Sequence, residues 1–169
     1  MHVIFRGSHG LEETAQPVDL QQTPADMVVL SFSDSDLGAF SVGWHNAKED
    51  LPSLRLANLA ALQHPLSVDT YIEQTLRDAK AVLVRLIGGM PYWSYGLQQL
   101  RAVAEENGIA LAVLAADGRA DSQLDEISTL PVSTLRRLRQ LCDAGGPDAA
   151  SAALAQLALS AGLLKKKKI

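Results

Sequence analysis

Cysteine is almost absent from this chain: Cys142 stands alone among 169 residues. A single thiol closes no internal disulfide, so the fold must rest on its own core, and a reducing compartment is the natural setting. Long apolar runs are missing too. No stretch approaches the roughly 18 residues needed to span a bilayer, and the start Met1-His2-Val3-Ile4-Phe5-Arg6 is too short for a secretory signal. A soluble, cytoplasmic protein is expected. Positive charge is equally scarce in the body of the chain. Without the lysines at 165–168 the formal charge of -4 becomes -8, with 11 basic side chains against 19 acidic ones. An acidic surface repels phosphate backbones, which argues against a nucleic-acid partner.

Several catalytic signatures are also lacking. The Gly88-Gly89 turn does not carry the spacing of a phosphate loop, and Gly7-Ser8-His9-Gly10 is not the dinucleotide fingerprint. No ATP, NAD or flavin site is expected in this chain. His2, His9, His45 and His64 are scattered, without the i, i+4 spacing that sets two ligands on one helical face, so no metal site is expected either. There is no Gly-x-Ser-x-Gly elbow, and Cys142 follows Leu141 with no evident base beside it, so a nucleophilic enzyme lacks its parts.

What is present is a globular composition, 47% apolar and 20% charged, in a length that suits one domain. Five short apolar runs stand out, at residues 3–5, 27–32, 54–59, 81–87 and 109–114. They are continuous rather than alternating, the pattern of strands covered on both faces. Between them lie segments of helical length. Val68, Tyr71, Ile72, Leu76 and Ala79 recur at three- and four-residue steps, with Ser67 placed to cap that helix. Ser33-Asp34-Ser35-Asp36 suits the positive end of a helix running through residues 38–47, and Asn107-Gly108 suits the end of one over 97–106. Repeated strand-helix units predict an α/β fold: a flavodoxin-like open parallel sheet of about five strands with helices on both faces. This domain is expected over residues 1–120. Beyond it, 121–164 reads as a helical extension, with helices at 132–141 and 149–164 around Gly145-Gly146-Pro147, packed on the sheet or on a partner.

In open parallel sheets ligands sit beyond the carboxyl ends of the strands, which directs attention to the loops at 6–10, 33–36, 60–65, 88–96 and 116–121. Gly88 and Gly89 offer bare backbone, and Tyr92, Trp93 and Tyr95 follow as flat amphipathic surfaces, facing either a ligand or partner or the end of the sheet as a cap. Ser33, Asp34, Ser35 and Asp36 offer oxygen atoms, although a helix cap explains them as well. Arg85, inside the fourth apolar run, must pair or point to a strand end; an ion pair or contact with an acidic ligand would each satisfy it.

Three segments together resemble a known family. They are Val28-Val-Leu-Ser-Phe-Ser-Asp-Ser-Asp-Leu37; Pro52-Ser-Leu-Arg-Leu-Ala-Asn-Leu-Ala-Ala-Leu62 with His64-Pro65 and Ser67-Val-Asp69; and Val82-Leu-Val-Arg-Leu-Ile-Gly-Gly-Met-Pro-Tyr-Trp-Ser-Tyr-Gly96. They are similar to the N-terminal region of the large subunit of aerobic cobaltochelatase, CobN, itself related to the magnesium chelatase large subunit. The likeness runs to about Leu164 and includes Ala115-Ala-Asp-Gly-Arg119; its most specific part is Gly-Gly-x-x-Tyr-Trp-x-Tyr-Gly.

The resemblance implies participation in ATP-dependent insertion of cobalt into hydrogenobyrinic acid a,c-diamide during cobalamin synthesis. Cobalt, ATP and magnesium would be used by the complex rather than held by this chain. Its partners would be the remaining large-subunit chain and AAA+ subunits, and Ser33, Asp34, Ser35, Arg85, Gly88, Gly89, Tyr92, Trp93 and Tyr95 would face either such a partner or the macrocycle. Family members exceed a thousand residues, so the isolated chain is expected to be inactive. A free-standing carrier of corrinoid or metal is the alternative. The four lysines at 165–168 require A-rich codons, where a ribosome can slip frame; the run reads either as the end of a short product of a longer frame or as a cloned tail.

Overall fold

The computed structural model describes residues 16–164. Four strands form one open, all-parallel sheet: β1 (Met27–Ser31), β2 (Leu54–Asn58), β3 (Ala81–Leu86) and β4 (Ala110–Ala115). They lie in the order β2-β1-β3-β4. The apolar runs locate all four, although Phe32, Leu59 and Ile87 fall just past their strand ends. The expected sheet of about five strands is thus corrected to four among the described residues, and the first run, at 3–5, lies outside them.

A local contact explains why the sheet stops at β4. The backbone N–H of Leu111 donates to Thr129 Oγ1 at 2.7 Å, Thr129 N–H donates to Leu111 O at 2.9 Å, and Val113 N–H donates to Ser128 Oγ at 2.9 Å. Two hydroxyl residues thereby satisfy groups on the free edge of β4 that a further strand would otherwise pair.

Successive residues of each strand feed opposite layers, which is why the runs are continuously apolar. Val28, Leu30, Val82 and Val84 join a core with α2 (Pro65–Tyr71), α3 (Ser94–Asn107) and α4 (Ser122–Ile127). Met27, Val29, Ala81 and Leu83 join the other, with α1 (Asp34–Ala47), α5 (Val132–Ala144) and α6 (Gly146–Ser160). Helix α6 is apolar on more than one side because it is covered by α1, α5 and β3. Its approach to α1 is close at Gly43, where a Cβ would come within 2.5 Å of Pro147 O.

The periodic residues Val68, Tyr71, Ile72, Leu76 and Ala79 are all buried, as their spacing predicts. The helix start differs from expectation. Pro65 opens α2 and His64 caps it, with Nδ1 accepting from Leu66 N–H at 3.0 Å. Proline suits the first helical position because no donor is wanted there. Ser67 lies inside the helix, buried, and accepts instead from Val18 N–H at 2.7 Å. The helix then widens into a π turn over Ile72–Leu76.

Candidate functional site at the carboxyl edge of the sheet

The order β2-β1-β3-β4 places the reversal of winding between β1 and β3, the position where open parallel sheets bind ligands. Ser31 and Arg85 face each other across this seam in register. Arg85 Nη1 donates to both carboxylate oxygens of Asp36, at 2.7 and 2.8 Å, and Nη2 donates to Asp143 Oδ1 at 2.6 Å. Ser31 Oγ donates to Asp36 Oδ2 at 2.9 Å and accepts from Ser33 N–H at 3.1 Å. Burial opposes the charge on Arg85, but the hydrogen bond and negative charge of Asp36 outweigh it and raise its pKa above the ordinary arginine value. At 7% exposure, Arg85 is a charged brace tying β3 to α1 and α5.

The first turn of α1 uses the Ser-Asp-Ser-Asp segment as a cap. Ser33 Oγ accepts from Asp36 N–H at 3.3 Å, and both acids lie at the positive helix end. Asp34 Oδ1 accepts from Asn58 Nδ2 at 2.8 Å, linking the loops after β1 and β2. Ser35 is exposed and lines a cavity of about 150 Å³ with Asp36, Phe40, Cys142, Gly145 and Gly146. Burial pushes the Cys142 thiol up to about 12, against the lowering influence of Arg85. It is a neutral thiol at physiological pH, unsuited to nucleophilic attack.

After β3, Gly88 and Gly89 both take positive φ, 76° and 69°, a region that side chains rarely adopt. A Cβ on Gly89 would lie 3.1 Å from Asp121 Oδ2, so bare backbone lets the loops after β3 and β4 approach. The three aromatics that follow separate. Trp93 is 2% exposed, and its indole N–H donates to Leu62 O at 2.9 Å. The ring is a core anchor at the end of the sheet, packed so tightly that a Cβ on Gly96 would come within 2.1 Å of it. Tyr92 is half-buried against the same core. Tyr95, also half-buried, donates its hydroxyl to Asp69 Oδ1 at 2.8 Å.

Arg85, Ser33 and Asp34 thus gather at the β1–β3 seam, with Ser35 at the adjoining cavity; Gly88 and Gly89 lie over the β3–β4 side. Asp36, within the Ser-Asp-Ser-Asp segment, completes the network together with Asp143, Ser31 and Asn58, which escape selection from the sequence. The one available signal is that a cation within a buried strand demands a carboxylate. The two acids that answer it stand 49 and 58 residues from Arg85, beyond local spacing. Among the described residues, no group of three or more histidine, cysteine or acidic side chains is arranged to hold a metal ion.

Fold and site together define a doubly wound α/β module whose ligand-side edge is braced by internal ion pairs. No protein-family model matches the chain. It is 37% identical over 148 residues to the aerobic cobaltochelatase subunit CobN of Sinorhizobium sp., covering 88% of this chain and 12% of that protein. It is 38% identical over 146 residues to the protein of the same name from Pseudomonas aeruginosa, covering 86% of this chain and again 12% of the relative. The chain is thus homologous to one segment of the CobN family, and it spans about an eighth of the length of these relatives. A solved structure, the catalytic subunit of cobaltochelatase from Mycobacterium tuberculosis, shares the fold with a TM-score of 0.63 at 23% identity. The likeness covers 82% of this chain and 10% of that one.

Proposed function

We propose that the chain serves as the N-terminal domain, or a short form, of a cobaltochelatase large subunit. It contributes non-catalytically to ATP-dependent insertion of cobalt into hydrogenobyrinic acid a,c-diamide in cobalamin biosynthesis. The observation that carries this reading is the homology to CobN over 88% of the chain. The site supports a structural contribution, because the charged groups at the β1–β3 seam are engaged with one another. Arg85 spends both terminal nitrogens on Asp36 and Asp143, and Cys142 is held neutral.

The cavity beside Asp36, about 150 Å³, falls below the roughly 300–1,000 Å³ of a small-molecule site. That size argues against enclosure of a macrocycle at this cavity. Hydrolysis of ATP belongs, on this reading, to AAA+ partners, and the remaining large-subunit chain supplies the chamber for ring and metal.

The test is a pull-down of the 169-residue chain, tagged at Met1, from its native extract, followed by intact-mass analysis of what accompanies it. Recovery of the remaining chelatase chain or its AAA+ partners is expected. Recovery of the chain alone with a bound corrinoid would overturn the reading in favour of a carrier.

A further inference from the structure

Three guanidinium groups converge beyond the carboxyl end of β4. Arg119 comes from the loop that follows the strand, and Arg136 and Arg139, three residues apart, project from one face of α5. With Asp121 and Asp125 they line a notch of about 10 Å³. Such a volume admits about one water-sized group.

The charges around the notch are unevenly matched. Asp125 binds Arg136 bidentately, its two oxygens accepting at 3.0 and 2.6 Å. Asp121 Oδ1 is occupied by the first turn of α4, accepting from the N–H groups of Gln123 and Leu124. Arg139 lies close enough for its charge to bear on Asp125, yet it forms no ion pair with it. Among the described residues, Arg119 and Arg139 have no ion-pair partner, and Arg139 Nη1 is buried with no hydrogen-bond acceptor. A desolvated N–H on a cation is costly unless an acceptor reaches it.

We propose that this notch is a carboxylate-binding site. One oxygen of a monoanionic carboxylate enters and accepts from Arg139 Nη1, and Arg119 engages the group from the loop above. The planar fork of arginine suits a carboxylate, and a charge-assisted bond supplies the missing partner. Phosphate fits less well. The room is that of one oxygen, and Asp121 and Asp125 in the wall repel a dianion. The site neighbours the Gly88-Gly89 turn, since Asp121 Oδ2 is the atom closest to where a Gly89 Cβ would stand. It rests on the arginines alone and holds whether or not the chain serves a chelatase.

The experiment follows the arginine Nε–Hε signals of the full chain by NMR during titration with acetate at constant ionic strength. Saturable shifts of the Arg119 and Arg139 signals are expected. Arg139→Gln should weaken binding tenfold or more, whereas Arg137→Gln, exposed on the same helix, should titrate as the wild type. Arg119→Gln, in an exposed loop, reads out the same loss independently should Arg139→Gln impair folding. Shifts that rise linearly without saturation, affinity unchanged in Arg119→Gln and in folded Arg139→Gln, or phosphate binding more tightly than acetate would each overturn the proposal.

Discussion

A cation on a central strand needs its charge answered nearby, and Arg85 is answered twice. Its partners differ in exposure: the Asp36 side chain is 18% exposed and that of Asp143 is 37%. Removing the guanidinium therefore strands Asp36 more than Asp143, which water can reach. Arg85→Met should lower the free energy of unfolding in urea by about 3–5 kcal/mol, the range for breaking one side of a buried pair. Adding Asp36→Asn should recover part of that loss. Cys142 makes a second prediction at this scale. Its folded pKa is raised, so burial of the thiol stabilises the fold below the unfolded value and ceases to do so as pH rises through the folded one. Stability should decline from about pH 8.5, where the unfolded thiol ionises, towards the folded value of about 12. Denaturant titrations at stepped pH should show that decline in the wild type and a shallower one in Cys142→Ala. The sequence marks Arg85 as unusual, but the side chains that answer it come from α1 and α5, remote along the chain.

Secondary-structure elements were legible to different degrees. Continuous runs of valine, leucine and alanine identify β1, β3 and β4, because strands buried on both faces leave no polar alternation to obscure them. Gly108 ends α3 in left-handed geometry, φ 68°, just where Asn107-Gly108 implies. The short helix α4 was missed: six residues give too little periodicity, and only Asp121, which caps it, marks its start. The cap of α2 went to His64 rather than Ser67, since both are polar residues near a helix start and only the strap at residues 16–25 claims Ser67 for itself. Contact between elements is equally specific. Gly43 lets α1 meet the start of α6, and Gly43→Ala would press a methyl into Pro147 O and Ser151 N. The substitution should destabilise the protein by about 1–3 kcal/mol through overpacking, measured by chemical denaturation. Hydrogen exchange should quicken first in α6.

For the molecule as a whole, α5 and α6 complete one layer of the sheet. Phe40, Val29 and Leu83 bury against Leu135, Leu138, Leu154 and Leu157. Deleting residues 146–169 should expose that side of the sheet and abolish cooperative unfolding, with loss of near-UV circular dichroism and aggregation on gel filtration. The acidic body and the likeness to CobN were readable from the chain alone, because composition, charge and a glycine-aromatic motif need no coordinates. The alternation of strand and helix was readable too, because burial on two faces leaves a continuous apolar signature. Tertiary structure decided the rest. It set the edge of the sheet through Ser128 and Thr129, placed Trp93 in the core although its neighbours Tyr92 and Tyr95 are half-buried, and brought Asp36 and Asp143 to Arg85. Each depends on groups far apart in sequence meeting in space, and a local pattern carries no record of such meetings.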